Sequence, residues 1–216
     1  MSETTAVSAK RVDTGLFVKL SLLFALEIIV AFTPLGSLPL FGTSIVATTA
    51  HLPVIVAAVL LGRKAGLFMG TVFGVLSFIV WSFYTPSPAI AFAFTPVYPI
   101  PGTDSGSFLS LIVVIVPRVL LGLITAELYS LFKKLNLGNI ACPLACILAT
   151  VLHTVMVLGS IYIFFGEPYA EANNIAYSAL LGAMALVIAT NGVFEAVLAA
   201  VFGTALSKIV PALEKK

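Results

Sequence analysis

One arginine, Arg118, stands inside an otherwise apolar run, VIVPRVLLG, and is the residue in this chain best placed to do chemistry. A guanidinium in such surroundings is costly unless it meets an anion. Its planar fork of donors suits a carboxylate, which it can grip with charge-assisted hydrogen bonds. The structural alternative is an internal ion pair with Glu27 or Glu195. Pro117 precedes the arginine and can free backbone groups there by kinking a helix. Asn191 and Glu195 are spaced i,i+4 and share one helix face. The amide donates and accepts, the carboxylate accepts, and the same face could instead glue two helices together. His51 and His153 also lie in apolar runs, where an imidazole serves either a bound polar group or a bond between helices. Tyr98, in a Pro-rich connection, adds a hydroxyl.

The elements that must position these groups follow from composition. Of 216 residues, 60% are hydrophobic and 9% charged, against about 25% charged in a soluble domain. Mean hydropathy is +1.15. Lipid must cover such a surface, so the chain reads as an all-α membrane protein. A spanning helix needs about 20 mostly apolar residues, and six segments qualify: 15–33, 44–62, 65–84, 108–132, 140–165 and one ending near 207. The last apolar stretch, 175–207, exceeds one span and reads as a short outer helix leading into the span or as one long tilted helix. The polar start, MSETTAVSAKRVDTG, lacks a signal-peptide pattern, so the first apolar run is expected to be retained. The expected organisation is a tail over 1–13, one membrane domain over 14–210 and a tail over 211–216.

Charge sets the expected orientation. Lys10, Arg11 and Lys19, then Arg63 and Lys64, then Lys133 and Lys134, then Lys208, Lys215 and Lys216 all fall on one side if the spans number six. Both termini are then cytoplasmic. The other side carries Asp104, Glu167 and Glu171 without Lys or Arg. Its three connections, TPLGSLPLFGT, TPSPAIAFAFTPVYPIPGTDSGS and GEPYAEANN, are long and rich in Pro and Gly. They read as lids or binding loops, with Phe92, Phe94 and Tyr98 otherwise serving as interfacial anchors. No basic cluster on a soluble face points to nucleic acid.

Counting about 1.5 Å per residue from the inner charges puts Arg118 roughly 22 Å up, Asn191 roughly 25 Å, Glu195 and His153 roughly 20 Å and His51 roughly 18 Å. Four different spans thus contribute to one layer, open toward the long connections, as a small-ligand pocket requires. Glu27, roughly 12 Å up, lies deeper and reads as structural. Glu127 reads as snorkelling at the inner surface, and Cys142 and Cys146 as packing residues. Gly62, Gly66, Gly70 and Gly74 form a small-residue ridge on the third span; Ser21 and Ala25 on the first could face a partner protein. No phosphate-binding loop, H-E-x-x-H or G-x-S-x-G is present, and no metal or cofactor is implied. No two-half repeat of interrupted helices is evident either. A binding site without an energy source suits a subunit that borrows energy from partners. A small membrane enzyme using His51, His153 and Glu195, or a stand-alone solute carrier, are the rival classes.

The run FTPLGSLPLFGTSIVATTAHLPVIVAAVLLGRKAGLFMGTVFGVLSFI, with VPRVLLGLITAELY and TNGVFEAVLAA, resembles the S components of energy-coupling factor (ECF) vitamin transporters, most of all the pantothenate type. The resemblance spans about residues 15–208. It implies a six-helix substrate-binding subunit of a bacterial plasma membrane. Such a subunit binds a vitamin under its outer loops and docks on a transmembrane coupling protein carrying two ATPases. The family's coupling surface is a small-xxx-small motif on the first helix, for which Ser21 and Ala25 are the nearest match, with Ser in place of the usual first Ala. Pantothenate has one carboxylate, two hydroxyls and an amide. On this reading Arg118 takes the carboxylate, while Asn191, His51 and Tyr98 supply hydrogen bonds, with Glu195 and His153 in the same layer. Riboflavin, folate or a pyrimidine are the other substrates the scaffold allows.

Overall fold

The computed structural model describes residues 14–39, 46–85 and 87–214. The expected tails, with Lys10, Arg11, Lys215 and Lys216, lie outside the described residues or at their edge. Helix α1 is Thr14–Phe32. A 3-10 turn, Pro34–Gly36, leads into strand β1, Ser37–Pro39, which pairs antiparallel with β2, Val46–Thr48, with Ser37 opposite Thr48. Helices α2, Leu52–Leu61, and α3, Arg63–Phe83, are separated by Gly62 alone, whose φ of 83° makes the reversal that a side chain would strain. A 3-10 segment, Pro88–Ala93, crosses to α4, Leu109–Lys134. Then follow α5, Ala141–Ala172, α6, Tyr177–Val187, a π-turn, Ile188–Gly192, and α7, Val193–Glu214.

Among the described residues, five helical runs are long and apolar enough to cross a membrane: α1, α3, α4, the α5 run and the continuous Tyr177–Val210 run. The expected helix over 44–62 is helical only from Leu52. Val46–Thr48 is rich in β-branched residues and hydrogen-bonds to β1 instead, and Pro53 fits the first turn of the helix that follows. Ten residues of α2 reach about 15 Å, half the hydrocarbon thickness. The expected outer loop GEPYAEANN is a second correction, because it is mostly helix. The chain leaves helical geometry at Phe165 (φ −137°), and Pro168 sits in the turn that restarts it, where its missing N–H costs nothing. The long stretch from 175 onward is one path with a π-turn inside it.

Close packing is densest between α3 and α4. The glycine ridge explains it: a Cβ at Gly66 would lie 2.6 Å from the Gly122 carbonyl oxygen and 2.9 Å from Ala58 Cβ. A Cβ at Gly70 would strike the Arg118 carbonyl oxygen. Two apolar clusters result. One joins Val54, Ile55, Met69, Phe73 and Leu121; the other joins Phe92, Phe94, Val113, Ile161 and Phe165. α1 is held lightly, with only Glu27 and Val30 buried, and its apolar side chains, such as Phe17 and Leu22, face outward as lipid would require. Cys142 and Cys146 are buried free thiols. Glu127 does reach the surface, where it pairs with Arg63 at 3.2 Å.

Candidate functional site

A cavity of about 280 Å³ lies where the two clusters meet, near the lower end of small-molecule sites. It gathers Arg118, Asn191, His51, Glu195 and His153, five of the six expected site residues, from α4, the π-turn, the start of α2, α7 and α5. Tyr98 is not among its lining residues; it packs, half-buried, on the Phe92 cluster. Phe94 from the same connection does line the cavity. It is stacked on Trp81 at 4.3 Å and 16°, and the connection is pinned to α3 by the Ser82 and Thr95 hydroxyls, 2.7 Å apart.

The Arg118 side chain is 7% exposed. One end of its fork donates from Nη1 to the Val113 carbonyl at 2.8 Å. That carbonyl lies five residues back, near Pro117, whose lack of an N–H already disturbs the helical ladder. The guanidinium sits 5.7 Å from the Phe73 ring centroid and 5.8 Å from that of Phe94. Its Nε is buried without a hydrogen-bond partner. No direct ion pair joins Arg118 to Glu27 or Glu195, although the Glu195 charge lies near enough to attract the guanidinium. Glu27 is fully buried elsewhere in α1 with both oxygens unpartnered. A buried cation left partly unsatisfied beside a cavity is a group waiting for an acceptor.

Both imidazoles present the same situation. His51 Nε2 and His153 Nε2 are buried and unpartnered, so neither nitrogen is used to tie helices together. His153 lies against the Phe73 ring at 6.0 Å. Asn191 is carried into the wall by the π-turn, and its Oδ1 lies 3.2 Å from the Thr190 hydroxyl. Such a turn holds one more residue than α-helical geometry allows and so redirects a side chain. Glu195 differs from all of these. Its Oε1 accepts from the Thr48 backbone N–H at 3.0 Å, and its Oε2 lies 3.2 Å from the Thr154 hydroxyl. Thr48, Phe73, Trp81 and Thr154 line the cavity without having been singled out from sequence. The single Trp and the Thr next to His153 were the available signals.

A polar chamber with a buried guanidinium, set among helices of membrane length, fits the class of multi-pass membrane proteins. The profile of the family described as "ECF transporter, substrate-specific component" matches residues 16–206. The chain is also similar to the pantothenic acid transporter PanT of Lactococcus lactis subsp. cremoris (strain MG1363), with 37% identity over 168 residues, 78% of each protein. The chain belongs to the ECF transporter substrate-specific component family, and is a transport protein, not an enzyme.

Proposed function

We propose that this chain captures pantothenate in the bacterial plasma membrane and delivers it to an ECF coupling protein powered by two ATPases. The observation that carries the reading is the buried, partly unpartnered Arg118 facing a cavity whose other free groups are neutral hydrogen bonders. The vitamin carboxylate pairs with the guanidinium. Its amide and hydroxyls meet Asn191, His51 and His153, and its dimethyl carbon packs on Phe73 or Trp81. The name of the PanT relative supports the same substrate. In the bilayer, α2 with the β2 segment before it makes the second of six crossings, and both termini face the cytoplasm with the basic turns. Ser21 and Ala25, both exposed on the lightly held α1, face the coupling protein. Tyr98, outside the cavity lining and packed on the Phe92 cluster, completes the site only by moving when ligand binds.

Calorimetric titration of the purified chain with a panel of vitamins tests the proposal. Pantothenate alone is expected to bind tightly. Tight binding of riboflavin, folate or a pyrimidine, with none of pantothenate, overturns the substrate. Uptake into vesicles by the chain alone, without ATP or partners, overturns the subunit reading.

A further inference from the structure

Taking the cavity as the vitamin site proposed above, we infer that Glu195 is a positioning residue that builds the cavity wall rather than a group that touches the vitamin. Its two oxygens are spoken for by the protein. Oε1 accepts from the Thr48 N–H at 3.0 Å, and Oε2 faces the Thr154 hydroxyl at 3.2 Å, itself 3.2 Å from the Thr150 carbonyl. One carboxylate on α7 thereby joins a residue of β2 to a residue of α5, across 147 and 41 positions of sequence.

The β2 segment has little else to hold it against that side of the bundle. Among the described residues, its other hydrogen bonds stay close in sequence: β2 pairs with β1, and the Thr49 N–H donates to Gly36 at 3.1 Å. The Thr49 hydroxyl donates to Leu35. Leu52 N–H donates back to Thr49 at 3.0 Å. These bonds shape the segment internally, whereas the Glu195 bond fastens it to α7. Three residues past Thr48 the same segment delivers His51 to the cavity wall, 1% exposed and with its Nε2 unpartnered. Glu195 therefore fixes His51 at second hand. It makes no direct ion pair with Arg118, although the two charges lie near enough to attract.

The test uses the ligand-free purified chain first. Hydrogen exchange at the Thr48 amide should quicken about tenfold or more in Glu195→Ala, because the amide loses its acceptor. Glu195→Gln keeps an oxygen for Thr48 and a donor for Thr154, and should stay within about threefold of wild type. Pantothenate affinity should follow the same order, with about a tenfold loss for Glu195→Ala and little for Glu195→Gln. Thr154→Val, which keeps the carboxylate but frees Oε2, gives a smaller loosening of about threefold and serves if Glu195→Ala does not fold. Unchanged exchange at Thr48 in Glu195→Ala, or in Thr154→Val where that variant serves, overturns the inference. So does an affinity loss in Glu195→Gln as large as in Glu195→Ala. If no variant binds pantothenate, the vitamin reading fails while the exchange result still decides the role of Glu195.

Discussion

Replacing Arg118 separates function from stability in opposite directions. The guanidinium is 7% exposed, spends Nη1 on the Val113 carbonyl at 2.8 Å, lies between two rings at 5.7 and 5.8 Å, and has no carboxylate paired with it. A carboxylate that reaches the guanidinium makes one or two charge-assisted bonds, each worth about 1.5–3 kcal/mol when partners are buried. Arg118→Ala should weaken pantothenate binding by about tenfold to several hundredfold. Arg118→Lys keeps a charge but not the fork and should fall between, near tenfold. In the absence of ligand the carbonyl bond, the two rings and the nearby Glu195 charge offset only part of its desolvation, so Arg118→Leu, which keeps apolar bulk, should unfold at the wild-type temperature or above it. Calorimetry against pantothenate and against its neutral alcohol analogue gives the affinities, and thermal unfolding in detergent gives the stability. Arg118→Ala binding within twofold of wild type refutes the reasoning. Equal affinity of wild type for acid and alcohol does the same.

Four further outcomes follow from the geometry. Trp81 is the one tryptophan and lines the cavity against Phe94, so saturating pantothenate should shift its fluorescence, and Trp81→Phe should remove the signal while binding persists by calorimetry. Deleting Ala189 turns the π-turn toward α-helical geometry and rotates Asn191 by about 100°; binding should be lost while circular dichroism stays helical. Gly66→Ala and Gly122→Ala set a methyl against the backbone of the facing helix and should each cost about 1–3 kcal/mol in unfolding measurements. Ser21→Trp fills a cleft shared with Phe17, Phe24 and Phe68 on the α1–α3 face; it should reduce co-purification with the coupling protein while leaving vitamin affinity within about twofold.

The long helices were legible because a bilayer imposes a length and an apolar composition, and α1, α3, α4 and the body of α5 simply meet it. The convergence of Arg118, Asn191, His51, Glu195 and His153 was legible for a related reason: helical rise converts residue counts into depth, and side chains at one depth on packed helices can meet. The failures share a cause too. SIVATTAHLP is apolar enough to span, but hydropathy does not record that Val46–Thr48 has strand β1 to bond with. Glu167 and Pro168 read as loop because proline breaks a continuing helix, while here it opens a restarted one. The π-turn leaves only the faint mark of Thr190, Asn191 and Gly192, three weak helix formers in a row. Glu195 was placed at the site, but the two threonines that occupy its oxygens belong to distant elements and could not be paired with it from spacing.

The glycine contact between α3 and α4 sets a limit on how this molecule can change shape. Where backbone meets backbone, there are no side-chain rotamers to rearrange, and sliding by one residue would drive a Cβ into a carbonyl. The pair therefore behaves as a keel. Arg118 rides on it, since the Arg118 carbonyl is part of that contact, and so does Trp81 on α3. Arg118 and the α3 rings Phe73 and Trp81 therefore keep one geometry relative to each other. The parts hung from the keel, α1, the paired strands β1 and β2 and the interrupted α6–α7 run, share none of that glycine contact.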